Sequence, residues 1–432
     1  MAGMKIAIIG AGSSYSPELI EGFARMRDRL PVEEIVLMDI DENRLNIMLG
    51  FCRRFAEHLN FPVRIRATTD RIDAIKDARF VNVQIRVGGN AARIHDEKIP
   101  LKHGLIGQET TGAGGFIKGL RSIPVMIDIA RDVERYSPDA WIINYTNPTG
   151  LIAEAVTKYT NVKIAGLCSG GLFPQLWTSR ALGVDPSSVR YDYYGLNHLN
   201  FASNVTVDGR LITDEEFDLV ADKTWSLDKA MIKRLRLLPS PYLQYFFHNG
   251  KRVIEQQEAP LTRGEEVQLL EKEIFAAYSD PKQIDKPAAL AKRGGGGYSD
   301  VALGIMSAIH NDEETWAVVN VPNGGAIPML PNDAVVEIAC NVNKDGIHPY
   351  PVTNIPALTW GLISAVKNYE QLTVEAAVQG DKEKALFALL AHPLVGDYDI
   401  AVQLLDELLE ANKAYLPKFA EVGDSNGVSA RG

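Results

Sequence analysis

The chain has 432 residues, 46% of them hydrophobic and 23% charged, with a formal net charge of −10. That length favours two intimately packed domains over one core, and the acidic balance argues against nucleic acid or an anionic membrane as partner. No apolar run reaches the ~20 residues needed to span a bilayer and no signal peptide is visible; three cysteines (Cys52, Cys168, Cys340) without framework spacing fit a reducing cytoplasm.

Lys5-Ile6-Ala7-Ile8-Ile9 reads as a buried parallel strand that breaks into Gly10-Ala11-Gly12-Ser13-Ser14-Tyr15, with a helical pattern following through Phe23. A second apolar strand, Ile35-Val36-Leu37-Met38, ends on Asp39. Such a unit is suited to a dinucleotide. Glycines let backbone N–H groups approach a pyrophosphate, the helix N-terminus favours its charge, and Asp39 can accept from a ribose diol. A carboxylate there disfavours a 2′-phosphate, so the reading is NAD rather than NADP. Tyr15 replaces the third glycine of the usual pattern, and a plain strand–turn–helix is the competing reading.

A helix is predicted through Leu45, Met48, Phe51 and Phe55, a weak strand over Val63–Ala67 and a strong one over Phe80–Ile85. A helix over about Leu120–Tyr136 and strands over Trp141–Tyr145 and Lys163–Cys168 complete a doubly wound pattern, so residues 1–168 predict a Rossmann-like parallel sheet. Ligands bind beyond the carboxyl ends of such strands, so Asp39, Arg86, Asn147 and Cys168 are expected to converge on one crevice. Residues 169–432 read as a mixed α/β domain packed on the first. Its elements are a hairpin over Val205–Ile212 turning on Asp208-Gly209, helices around 262–279 and 299–310, and strands over Thr315–Val321 and Val335–Cys340. Amphipathic helices follow, and the stretch from Gly423 is expected to fray.

Cys168 and His198 each follow a strand-like run; a thiolate and an imidazole can form half of an open metal site, although a lone cysteine there is also an ordinary buried residue. Gly107-Gln108-Glu109-Thr110-Thr111-Gly112-Ala113-Gly114-Gly115-Phe116 reads as a hydroxyl-rich lid or clamp, or as a mobile surface loop. The Asn147 amide can bond a sugar hydroxyl or a ribose. Arg86, Arg93 and Arg293 are candidate anion binders, the last beside a run of four glycines. The aromatic stretch Pro241–His248 reads mainly as core packing.

Together these motifs resemble glycoside hydrolase family 4, whose members include NAD- and manganese-dependent 6-phospho-β- and 6-phospho-α-glucosidases. The resemblance covers nearly the whole chain. It rests on Ile9–Tyr15, Ile85–Gly89, Asp96–Gly104, Gly107–Thr110, Asn147–Gly150, Gly166–Cys168, Gly195–His198 and Lys292–Gly295, and is closest to the 6-phospho-β-glucosidase branch. It implies a lactate/malate dehydrogenase-like architecture and an unusual glycosidase mechanism. Sugar C3 is transiently oxidised with NAD⁺ as hydride acceptor, a tyrosine removes the C2 proton, and the C1 substituent is eliminated. Water then adds and the hydride returns, with no net redox. It further implies Cys168 and His198 as ligands of Mn²⁺ or another divalent metal, and Gly10, Gly12, Ser13, Ser14 and Asp39 as NAD-binding. Glu109, Asn147 and Ser169 would be at the sugar, Arg93 and Arg293 at its phosphate, and Tyr242, or else Tyr245, would be the base. A cytoplasmic homodimer or homotetramer is implied.

Ser169 departs from the Asn, Asp or His that usually follows the metal cysteine, and Gly296-Gly297 stand where larger residues are common. Ser169 offers no carboxylic acid, which leaves open an α-linked or non-phosphorylated sugar. Two other classes compete. A net dehydrogenase of the malate/lactate type would accumulate NADH; a non-catalytic NAD-binding regulator would bind NAD but no metal.

Overall fold

Strand β1 (Met4–Ile9) is buried at every residue except Lys5, as a strand covered on both faces must be. It pairs in parallel with β2 (Val32–Met38) on one side and β4 (Phe80–Val83) on the other. With β3 (Arg64–Thr68), β5 (Trp141–Asn144) and β6 (Lys163–Gly166) it forms a parallel block ordered β3-β2-β1-β4-β5-β6, the doubly wound arrangement. The computed structural model describes residues 3–294 and 297–420; Gly295, Gly296 and the stretch from Gly423 expected to fray lie outside the described residues.

The second half has a small antiparallel sheet, formed by β7 (Val189–Leu196), β8 (Leu199–Val207), β9 (Arg210–Leu211) and β10 (Leu238–Pro239). The β8–β9 hairpin turns on Asp208-Gly209 as the sequence predicts. The second half also extends the first sheet. β11 (Thr315–Pro322) lies antiparallel against β6, joined at Asn320 and Gly166, and β12 (Val335–Asn343) and β13 (Gly346–Pro349) continue outward to nine strands. The helices predicted around 262–279 and 299–310 run over Arg263–Ser279 and Tyr298–Asn311.

The helix predicted from Leu120 begins at Gly112 and runs to Tyr136. Its first turns are rich in glycine, a poor helix former, which hides the start from a sequence reading. The stretch Gly112–Phe116 is therefore neither lid nor surface loop: all five residues are buried in the helix. Gly114 faces the Gln108 and Asp96 carbonyls where a side chain would stand.

Asp96, on helix Gly89–Lys102, and Arg121, on helix Gly112–Tyr136, meet with both side chains 0% exposed. Arg121 Nη1 and Nη2 donate to Asp96 Oδ1 (2.8 Å) and Oδ2 (2.6 Å), while its Nε donates to the Val87 carbonyl (2.9 Å) and Nη1 also to Asn412 Oδ1 (3.2 Å). One guanidinium thus ties together two helices, the segment after β4 and the helix Tyr398–Asn412. Asp96→Ala leaves Arg121 buried and unpaired, and is expected to cost about 3–5 kcal/mol, read as a fall in the urea midpoint at unchanged m-value.

Candidate active site

The turn after β1 is shaped by two glycines. Gly10 has φ +85°, a left-handed conformation, and a Cβ there would lie 2.8 Å from the Gln84 carbonyl oxygen. A Cβ on Gly12 would lie 2.7 Å from Asp39 Oδ2. The Gly12 N–H donates to that same oxygen at 2.7 Å, and the Asp41 N–H donates to Oδ1 at 3.0 Å, so Asp39 is held against the turn. Gly10, Gly12, Ser13 and Asp39 all line a cleft of about 1480 Å³. Bare backbone facing the cleft and a fixed carboxylate at the end of β2 fit a dinucleotide with a free ribose diol.

Ser14 is placed differently from Ser13. Its side chain is fully buried away from the cleft wall, and its hydroxyl donates to Glu271 Oε1 at 3.0 Å. Glu271 comes from helix Arg263–Ser279 and also accepts from Arg44 Nη2 (2.9 Å) and Arg293 Nε (2.9 Å). Burial raises its pKa, but Arg293 and Arg44 outweigh it and hold the carboxyl below its ordinary value. Arg44 also donates to the Gly12 carbonyl and lies 3.9 Å above the Phe275 ring; Arg293 lies 4.6 Å from the Tyr15 ring.

A second charged cluster centres on Glu109. Its carboxylate pairs with Arg86, with Lys118 Nζ (2.7 Å) and with Arg93 Nη1 (3.1 Å). Burial pushes its pKa up, yet the three cations hold it well below the usual carboxylate range. Burial, abetted by Arg86 and Arg93, pushes the Lys118 amine down to about 7 despite Glu109. Arg93 is further fixed by Glu97 Oε1 at 2.8 Å, whose other oxygen accepts from the Gly264 N–H at 2.6 Å. Arg93 and Arg293 therefore reach the same cleft from separate clusters.

His198 lines the same cleft beside the Glu109 cluster. It occupies the two-residue turn Asn197-His198 joining β7 to β8, with φ +65°. Histidine is tolerated there better than most residues, but glycine is the usual choice. The turn is propped from beneath by Glu337 of β12, fully buried, which accepts amide bonds from Asn197, Asn200 and Asn320. Burial pushes the Glu337 carboxyl up to about 7 against those three amides. His198 Nδ1 is 2.9 Å from Thr110 Oγ1, and its ring lies parallel to Tyr242 with centroids 3.7 Å apart. Burial pushes its pKa down to about 3, which keeps the imidazole neutral, as a metal ligand must be.

Arg86, Asn147, His198, Tyr242 and Tyr245 line the cleft, so the aromatic stretch read mainly as core packing forms part of its wall. Asn147 Oδ1 is buried without a hydrogen-bond partner, as an acceptor reserved for a ligand would be. Asp39, Arg86 and Asn147 line the cleft, and Cys168 and Ser169 follow the carboxyl end of β6. Beyond β6 the chain tightens into a single 3₁₀ turn, Ser169–Leu172, capped by Cys168; its buried Sγ accepts from the Gly170 N–H at 3.3 Å. Among the described residues no cluster of three His, Cys, Asp or Glu side chains is placed to hold a metal. With Nδ1 at Thr110, Nε2 is the remaining ring nitrogen of His198, and an imidazole and a thiolate are residue types that an open cation site uses. Sequence reasoning missed Lys118, Glu271 and Arg44. The one available signal was Lys118, a lone cation in a run of glycines and apolar residues.

A dinucleotide turn at one end of a cleft and an imidazole–phenol pair further along define a nucleotide-dependent α/β enzyme. Residues 5–174 match the family described as Family 4 glycosyl hydrolase, and residues 193–395 match the Family 4 glycosyl hydrolase C-terminal domain. The chain belongs to glycosyl hydrolase family 4. It is 42% identical to a protein of Bacillus subtilis (strain 168) named "Probable 6-phospho-beta-glucosidase", covering 96% of this chain and 98% of the relative. It is 39% identical to the 6-phospho-beta-glucosidase of Escherichia coli (strain K12), covering 97% of each. The solved 6-phospho-beta glucosidase of Thermotoga maritima with NAD and glucose-6-phosphate superposes with a TM-score of 0.90 at 37% identity, over 96% of this chain and 99% of that one. That enzyme was also solved with manganese, NAD⁺ and glucose-6-phosphate, at a TM-score of 0.88 and 35% identity over the same shares of the two chains. The lactate dehydrogenase of Cryptosporidium parvum shares the fold alone, with a TM-score of 0.54 at 14% identity over 87% of this chain and 99% of that one.

The low pKa of Lys118 has a measurable sign. Between about pH 7 and its ordinary value of 10.5 the unfolded chain keeps a proton that the folded protein has released, so stability rises with pH across that window. Relative to Lys118→Met, the wild type is expected to gain up to about 1.4 kcal/mol per pH unit between pH 7.5 and 9.5. Urea unfolding of both proteins measures it; a flat difference would show that Lys118 titrates near its ordinary value.

Proposed function

We propose that this chain hydrolyses 6-phosphoglucosides, β-linked ones by preference, using NAD and Mn²⁺ or another divalent cation. The observation that carries the reading is a single cleft of about 1480 Å³ onto which both the Gly10–Gly12 turn and the stacked His198–Tyr242 pair open. The relatives' names and their complexes with NAD, manganese and glucose-6-phosphate support the substrate class.

When bound, NAD supplies a reversible hydride acceptor and the cation a Lewis acid where negative charge develops. In this reading the Gly10, Gly12 and Ser13 backbone and the Asp39 carboxylate hold the dinucleotide, with Ser14 in the same turn. Cys168 Sγ and His198 Nε2 hold the cation. Tyr242 removes the sugar C2 proton; its parallel stacking on His198 fixes the ring. Tyr245, whose hydroxyl burial pushes up, is the fallback. Glu109, Asn147 and Ser169 orient the sugar, with Asn147 Oδ1 free to accept a hydroxyl. Arg93 and Arg293, joined by Arg86, meet the phosphate as bidentate donors. Residues 1–168 carry the dinucleotide and 169–432 supply His198, the base and the contacts of a homodimer or homotetramer. Three cysteines, none in a disulfide, fit a cytoplasmic setting, and among the described residues no helix is long and apolar enough to cross a membrane.

Release of p-nitrophenol from p-nitrophenyl β-D-glucoside 6-phosphate is expected to require both NAD⁺ and Mn²⁺, with no accumulation of NADH. Stoichiometric NADH would instead mark a net dehydrogenase, and faster release from the α-anomer or an unphosphorylated glucoside would move the substrate within the family. Tyr242→Phe is expected to lower kcat by roughly 100-fold or more, with NAD binding by calorimetry unchanged. Gly12→Ala places a methyl group against Asp39, and is expected to weaken NAD binding by at least about tenfold while the circular dichroism spectrum stays native.

A further inference from the structure

One corner of the cleft wall is apolar. Phe173 and Trp225 both face the cleft that holds His198, Tyr242 and Tyr245. Phe173 opens the helix Phe173–Leu182, directly after the 3₁₀ turn capped by Cys168. Trp225 lies on the short connection between helices Asp214–Lys223 and Lys229–Leu235. Its ring meets Phe173 edge to face at 4.9 Å and Trp177 at 5.0 Å, and Trp177 is itself buried. Trp225 nonetheless remains 39% exposed.

The connection carrying it is fixed on its other side by the Tyr242–His248 segment and the helix that follows. The Ser226 carbonyl accepts from Arg252 Nη2 at 3.0 Å, and the Asp228 N–H donates to His248 Nε2 at 3.2 Å. Two segments, one following Cys168 and the other bonded to His248 and Arg252, thus hold an aromatic surface on the cleft wall. The charged clusters around Glu109 and Glu271 engage neither Trp225 nor Phe173. A rigid, half-exposed indole packed on two other rings is a surface for a flat apolar group, because it loses little conformational freedom on binding and buries a large area.

We infer that Trp225 and Phe173 form the subsite for the group leaving from C1, and that this subsite selects aromatic aglycones. The inference rests on the glycosidase reading above, in which Glu109 orients the sugar and Tyr242 removes its C2 proton; Phe173 and Trp225 line the same cleft as both.

The test compares phenyl β-D-glucoside 6-phosphate with methyl β-D-glucoside 6-phosphate on the NAD- and Mn²⁺-loaded wild type, Trp225→Ala and Trp225→Phe. The ratio of kcat/KM for phenyl over methyl is expected to fall roughly tenfold in Trp225→Ala and to recover largely in Trp225→Phe. Equal losses on both substrates, or no change on either, overturn the inference. If Trp225→Ala does not fold, Phe173→Leu is read by the same ratio. Calorimetric binding of the two glycosides to the Tyr242→Phe background, with and without Trp225→Ala, separates the two readings. Preferential weakening of phenyl binding supports the subsite even where no hydrolysis is found, whereas hydrolysis by the wild type without that preference leaves the glycosidase and removes the subsite.

Discussion

The buried Arg121–Asp96 pair is the constraint on which the charged part of the cleft depends. Two fully desolvated charges tolerate each other only with near-ideal geometry and further hydrogen bonds, and here the guanidinium has both, placing two more donors on Val87 and Asn412. By locking helix Gly89–Lys102 to helix Gly112–Tyr136, the pair sets how Arg93 and Lys118, one from each helix, approach Glu109. A shift of either helix would not simply weaken one ion pair. It would leave an excess of buried positive charge around a carboxylate no longer placed to balance it.

The cleft is accordingly lined by two carboxylate-centred clusters and an uncharged imidazole–phenol pair. At the dinucleotide turn, Glu271 holds Arg44 and Arg293 in check. Further along, Glu109 does the same for Arg86, Arg93 and Lys118. Each cluster carries more cationic groups than carboxylates, so a phosphorylated ligand finds donors already positioned and desolvated, which is where such bonds are worth most. In contrast, the imidazole–phenol pair is kept neutral. Burial suppresses protonation of His198, and the ring beside it is a phenol.

Local chemistry made much of this visible beforehand. The strand, glycine turn and Asp39 form a contiguous motif whose parts interact over short sequence distances, and Gly12 does touch Asp39. Inner strands such as β1 and β4 declare themselves because burial on both faces removes most polar residues, whereas the edge strand β3 reads weakly. Less was legible where a long-range partner decides the outcome. Ser14 belongs to the turn in sequence, but the partner of its hydroxyl, Glu271, lies 257 residues away. Likewise, the helix beginning at Gly112 contradicts its own glycines, of which Gly114 and Gly115 are required because other backbone segments press against them. Trp225 carried no signal, since its neighbours Phe173 and Trp177 are distant in sequence.

The seam between β6 and β11 also bears on how the molecule assembles. Asn320 donates to the Gly166 carbonyl across a separation of 154 residues, and until that segment has left the ribosome β6 is the open border of a six-stranded parallel sheet. Such a border is a template for pairing with another chain, and contacts of this span close slowly. The strand leading to Cys168 is therefore completed late, while the dinucleotide turn belongs to a unit finished within the first few dozen residues. Nascent chains would be able to fold their cofactor turn long before the opposite side of the cleft exists, and interruption of synthesis before residue 320 would leave a half-sheet whose raw edge invites association rather than catalysis.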